Sequence, residues 1–196
     1  MQIKDKLKLF KLLSIVIFLN SCATNYSIPE TKESASIRIY ADPDTIGKGV
    51  IPIGAYTNEE CDAKGGGRIS YLYTKSSINL GPKSRDSLEM FDEGFVSFES
   101  KYETKIPANE PFIFILGVSS SDLSSTGAVT SISNQSCYVT LSFIPEKDAQ
   151  YEAKYVGNHL ACDGKVFKLL KSSETGKVTR NEIKAKKLNC HYPGNW

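Results

Sequence analysis

Residues 137–144 read CYVTLSFI, an alternation that sets Cys137, Val139, Leu141 and Phe143 on one side of an extended chain and Tyr138, Thr140 and Ser142 on the other. Successive side chains of a strand point to opposite faces of its sheet, so a period of two marks a strand with one buried face. The same period recurs along the chain. SIRIY (36–40) aligns Ile37 with Ile39, and RISYLYT (68–74) gathers Ile69, Tyr71 and Tyr73. PFIFILGV (111–118) is apolar throughout, as expected of a central strand covered on both sides. GVIPIGAYT (49–57) and FVSFESKYETKI (95–106) add two more, with Pro52 confining the former to an edge or a bulge. IPANEP (106–111) and IPEKDAQ (144–150) carry the Pro, Asn and Asp of turns. Only SRDSLEMFDEG (84–94) predicts a helix, and a short one. Many short strands with regular turns predict an all-β fold, an antiparallel β-sandwich. The alternative is a closed β-barrel of similar length.

Cys61, Cys137, Cys162 and Cys190 lie within this pattern, and a fifth cysteine, Cys22, stands apart near the N-terminus. Four cysteines allow three disulfide connectivities. If IPEKDAQ closes a hairpin, Ile144 faces Tyr151 and Cys137 falls opposite residue 158, within a bulge of Cys162. That register favours Cys137–Cys162 and leaves Cys61–Cys190 by subtraction. The first bridge closes a loop of about 26 residues, worth roughly 3.5 kcal/mol in the chain-entropy description.

The N-terminal segment explains Cys22. Lys4, Lys6, Lys8 and Lys11 precede the uncharged run LLSIVIFL (12–19), which ends in Asn20 and Ser21. A basic start, a short apolar core and small residues before a cut site predict a secretory signal peptide over 1–21. Its apolar core is shorter than the roughly 20 residues that span a bilayer. Leu19-Asn20-Ser21-Cys22 resembles the lipobox of bacterial lipoproteins. The resemblance implies that Cys22 becomes an acylated N-terminus and a membrane anchor. Ala23 follows it where, in enteric bacteria, Asp would favour the inner membrane, so the resemblance implies the outer membrane of a bacterial envelope. Residues 22–34 are polar, with Pro29 among them, and predict a lipidated N-terminus and tether; 35–196 then form one β-sandwich domain.

Charge narrows the partners. The full chain is +2, and residues 1–21 contribute +3 from four Lys and one Asp, so the remainder is about −1. Nucleic-acid binding needs a basic surface, and this balance argues against it.

Candidate chemical sites are few. His159 and Cys162, with Cys190 and His191, have the composition of a Cys₂His₂ zinc site, but adjacent strand residues face opposite ways and an oxidising compartment competes for the thiols. No metal or cofactor is therefore expected. His159 is one of two imidazoles available to a periplasmic hydrolase, yet no GxSxG elbow accompanies it. Acidic neighbours Glu59, Glu60 and Asp62 disfavour a reactive thiolate at Cys61. Lys64-Gly-Gly-Gly-Arg68 lacks the spacing of a phosphate loop and reads as a turn into the following strand. Between residues 165 and 187 the chain concentrates Lys165, Lys168, Lys177, Arg180, Lys184, Lys186 and Lys187, with SSETGK as a turn between two basic strands. Such lysines on one face would meet anionic lipid, and the competing reading is that they guard an exposed edge.

FESKYETKIPANEPFIFILG, SCYVTLSFIPEKDAQYEAKY and HLACDG together resemble a group of uncharacterised Gram-negative lipoproteins. The shared positions are Ile106-Pro107-Ala108, Pro111, Cys137, Ser142-Phe143, Pro145, Tyr151 and Cys162. This second resemblance implies export and paired cysteines, and it brings no reaction or ligand. The sequence thus predicts a lipid-anchored envelope protein with a non-enzymatic binding or structural role. Its rivals are a hydrolase using His159 and a lipoprotein inhibitor of a lytic enzyme. Expected partners are the membrane, through the anchor, and an anionic lipid or an envelope protein.

Overall fold

The computed structural model describes residues 26, 32–41, 50–62, 66–73, 88–92, 101–126 and 129–192. Ten strands appear in chain order: β1 (Ser34–Ala41), β2 (Val50–Tyr56), β3 (Gly67–Tyr73), β4 (Lys101–Pro107), β5 (Phe112–Thr126), β6 (Val129–Phe143), β7 (Gln150–Gly157), β8 (Cys162–Lys171), β9 (Val178–Ile183) and β10 (Lys186–Leu188). They form two five-stranded sheets. The first has the order β4-β1-β7-β8-β9, and the second β10-β6-β5-β2-β3. Every pairing is antiparallel except β1 with β7, which run parallel. The sheets stay open and pack face to face, as a sandwich rather than a barrel.

The alternating residues supply the core between them. Ile37 and Ile39 of β1 meet Val139, Leu141 and Phe143 of β6, with Phe112, Phe114 and Leu116 of the central strand β5. Pro52 sits beside a register shift at Ile53/Gly54, in a strand flanked by β3 and β5. The bulge accommodates it, and β2 is not an edge. The shift reverses part of one expected face. Ile53 pairs with Ser70 and Gly54 with Arg68, so Ile69 is the extra residue, and Leu72 rather than Tyr71 enters the core.

Residues 144–149 connect differently from expectation. β6 and β7 belong to different sheets, so IPEKDAQ is a crossover and not a hairpin. Both expected disulfides nevertheless form. Cys137–Cys162 joins β6 to β8, with Cα atoms 5.9 Å apart, and so rivets one sheet to the other. The pairing is as expected, but it arises across the sandwich and not along a hairpin ladder. Cys61–Cys190 spans 129 residues and pins the segment after β10 to the segment after β2.

Each sheet also has a covered outer face. On the second sheet, Tyr56, Ile113 and Ile115 pack under Cys61, Leu188, Cys190 and Tyr192. On the first, residues 88–92 form an irregular strap in which Met90 packs on Leu169 and Val178. The helix expected over 84–94 is absent from its described part, 88–92, because those residues are stretched over the sheet and their polar groups bind its side chains. Within 22–34, Tyr26, Lys32 and Glu33 lie on the domain itself. The Tyr26 amide donates to the Arg68 carbonyl (2.9 Å), and Lys32 and Glu33 pair with Glu110 and Lys147.

Candidate binding cleft and a buried charge cluster

Two groups of polar residues stand out, and they have different characters. The first lies beneath the strap. Arg38 alternates with Ile37 and Ile39 and therefore points away from the core, yet it is 0% exposed. Its Nε donates to Glu103 Oε1 at 2.8 Å, and its Nη1 donates to Glu152 Oε1 at 3.0 Å and to the Phe91 carbonyl at 3.1 Å. Its Nη2 pairs with Asp92. Arg180 closes the far side, donating to Glu152 Oε2 at 2.7 Å. The strap is held by the same atoms, since the Leu88 amide donates to Glu103 Oε2 (2.9 Å) and the Phe91 amide to Gln150 Oε1 (2.8 Å). Burial pushes the Glu103 carboxyl up. The Arg38 hydrogen bond, the Leu88 amide and the charges of Arg38 and Lys101 outweigh it and hold the group below its usual range. With Lys101 near Glu103 and Asp92, three cations balance three anions. Arg38, Glu103 and Glu152 are buried at its centre while Asp92, Lys101 and Arg180 reach the surface, and a cluster whose charges are paired in this way fixes structure.

The second group lines an open cleft of about 440 Å³ at one end of the sandwich. β6 brings Phe143 and Ser142 there, the crossover brings Ile144 and Glu146, and β7 brings Tyr151. Ile183 comes from the end of β9, Lys184 from the β9–β10 connection, Lys186 from the start of β10, and Lys168 from β8. Phe143 and Tyr151 are buried and their rings lie 5.0 Å apart, whereas Ile144 is 63% exposed. The cleft therefore has an apolar wall under a charged rim. On that rim Lys168 pairs with Glu146 at 2.6 Å, and Lys186 pairs with Glu59. Ser142 Oγ donates to Glu59 Oε1 at 2.9 Å. The Lys186 hydrogen bond, then that of Ser142, holds the Glu59 carboxyl below its ordinary range. A carboxylate stabilised in this way is a weak base and does not activate the buried Ser142 hydroxyl. The arrangement is suited to holding a ligand and poorly suited to moving protons.

The seven cations expected to form one face are divided among several. Lys165 pairs with Glu182 (3.4 Å), Lys187 with Asp163 (2.8 Å), Lys168 with Glu146, Lys186 with Glu59, and Arg180 with the buried Glu152. Lys177 and Lys184 have no ion-pair partner among the described residues. The turn between the two basic strands does form, with the Gly176 amide donating to the Ser172 carbonyl. Cys22 lies outside the described residues.

His159 stands in the turn between β7 and β8, at the other end of the molecule from the cleft, and no contact among the described residues joins it to a serine or a carboxylate. The sulfurs of Cys162 and Cys190, needed for a Cys₂His₂ zinc site, are spent in two different disulfides. β3 begins at Gly67, directly after Gly66, and 63–65 lie outside the described residues. Sequence reasoning missed Arg38, Glu103 and Glu152 because charged residues at outward strand positions normally read as solvated. It missed the cleft because its walls come from five separate strands and four connections. Compared with protein-family models, curated proteins and solved structures, the chain gives no match in any of the three.

Proposed function

We propose that the protein is a lipid-anchored component of a bacterial cell envelope, acting as a non-enzymatic binding module whose ligand enters the cleft. The observation that carries this reading is the cleft's construction, an apolar wall of Phe143, Tyr151 and Ile144 under a rim of paired charges with Lys184 left over. That combination suits a ligand with an apolar part and one anionic group, because the wall removes apolar surface from water while a rim cation orients the charge. Two disulfides favour an oxidising compartment, in keeping with an exported chain. The lipobox-like segment ending at Cys22 supports the anchor.

Intact mass of the membrane-extracted protein, before and after reduction and alkylation, tests the first half. An acylated chain beginning at Cys22, with four thiols appearing only on reduction, is the expected result. An unmodified Cys22 would refute the anchor. For the cleft, a fatty-acid probe should protect Lys184 from amine-reactive labelling, and Phe143→Ala should abolish that protection. Equal labelling with and without the probe would sink the amphiphile reading.

A second reading, inhibition of a partner enzyme, is favoured by one feature. β5 and β6 pair from Phe112–Phe143 out to Thr126–Val129, whereas β2 stops at Leu116 and β10 at Thr140. Among the described residues, the two strands thus run on past their neighbours as a ribbon, long enough to enter a partner's groove.

A further inference from the structure

We propose that the cleft end of the sandwich lies against the surface of the membrane that holds the anchor. The inference rests on acylation of Cys22 and adds an orientation to it. Tyr26 is fixed to the domain. Its amide donates to the Arg68 carbonyl, and its ring lies 6.0 Å from that of Phe112. Burial, then the nearby Glu110 carboxylate, pushes its phenol up to about 12, as befits a ring packed into the body of the protein. Only residues 23–25 separate it from Cys22. Four Cα-to-Cα steps reach at most about 15 Å.

The docking point of Tyr26 belongs to the same end as the cleft. Phe112 packs edge-on against Phe143 at 6.2 Å, and Phe143 lines the cleft. The other end is much farther away. β7 leaves the cleft end at Gln150 and reaches the opposite turn after Gly157, seven steps later, about 23 Å at roughly 3.3 Å per residue. A linker of about 15 Å cannot run that length and still let the far end meet the bilayer. What the cleft end presents fits an interface. Ile144 is 63% exposed there, and Lys177 and Lys184, without ion-pair partners among the described residues, stand in the turn after β8 and on the cleft rim. Acids share this end, Glu146 among them, so the short linker sets the orientation and the two lysines only reinforce it. Bound in this way, the cleft opens toward lipid headgroups and the β5–β6 ribbon points away from the membrane.

The experiment uses the full acylated chain in vesicles of phosphatidylethanolamine and phosphatidylglycerol whose acyl chains are brominated near the headgroup. With Trp196→Phe removing the single native tryptophan, one reporter is introduced as Ile144→Trp and another as Leu160→Trp, both at exposed positions. Loss of fluorescence is expected at 144 and not at 160. Inserting a long Gly-Ser segment after Ala23 should remove that contrast. Equal quenching at both positions, or stronger quenching at 160, in protein whose mass shows acylation would overturn the orientation alone. A mass without acyl chains would overturn the anchor and the orientation together.

Discussion

At the scale of single residues, Arg38 carries the most consequence. A guanidinium removed from water is tolerable only because Glu103, Glu152, Asp92 and the Phe91 carbonyl all accept from it. Truncating one member of a buried ion cluster leaves the others uncompensated, so Arg38→Ala should lower stability by about 3–5 kcal/mol, read from urea unfolding. The opposite sign is expected at Thr140. Its Oγ1 is buried with no hydrogen-bond partner among the described residues, in β6 beside Leu188 of β10. Thr140→Val keeps the shape and removes the orphaned hydroxyl, and should raise stability by about 1 kcal/mol in the same measurement. Gly117 is constrained by a ring rather than by backbone conformation. A Cβ there would sit 1.9 Å from the Tyr138 ring, which itself stacks on Tyr192 at 5.2 Å. Gly117→Ala should therefore displace the Tyr138–Tyr192 stack and loosen the tail.

At the scale of elements, the strap and the two bridges divide the work of closing the sandwich. The 88–92 strap hangs on Glu103, whose folded pKa lies below the ordinary value of about 4.3. A carboxyl depressed on folding contributes stability above its unfolded pKa and loses that contribution as pH falls through its folded pKa. Amide exchange of Leu88 and Phe91 should accordingly rise below about pH 4 before that of β5 and β6 does. A strap that exchanges together with the central strands would show that Glu103 does not hold it. The bridges should separate in a similar way. Losing Cys137–Cys162 unfastens one sheet from the other and should cost about 2–5 kcal/mol of global stability. Losing Cys61–Cys190 frees the 188–192 cover, so Ile113 and Ile115 should show faster exchange, while Ile37 and Ile39 stay protected.

At the scale of the whole molecule, the sandwich has two unlike ends. One gathers the Tyr26 docking point, the 107–111 and 144–149 connections and the cleft. The other carries the inter-sheet disulfide, His159 and the β5–β6 ribbon. Tyrosines tie the fold together across this length. Tyr26, Tyr56, Tyr155 and Tyr192 are all pushed up to about 12, in each case chiefly by burial. A phenol with a raised folded pKa contributes its full stability below its unfolded value of about 10 and loses that contribution as pH rises through its folded value of about 12. Ultraviolet titration of the native protein should thus show several phenols ionising only in the unfolding transition above about pH 10. Ordinary titration of all ten tyrosines in the folded state would contradict the packing described.

What the sequence by itself determined was local. Alternation over 36–40 and 137–143 marked the inward residues correctly, the uninterrupted apolar run at 112–118 marked the central strand, and the even count of cysteines beyond residue 60 marked two bridges, although the hairpin register that paired Cys137 with Cys162 does not form. The alternation and the apolar run follow from the geometry of one strand, so neighbours in the chain suffice to reveal them. Which strands share a sheet was decided only in three dimensions. The 144–149 segment has the composition of a hairpin turn, and it crosses between sheets because β7 finds β1 as a parallel partner. Arg38 is separated by 65 residues from Glu103 and by 114 from Glu152, and its burial depends on both being delivered to one spot. The cleft likewise exists only where strand ends and connections from both sheets converge. Periodicity states which way a side chain points, whereas what it points at depends on partners that the local chain does not contain.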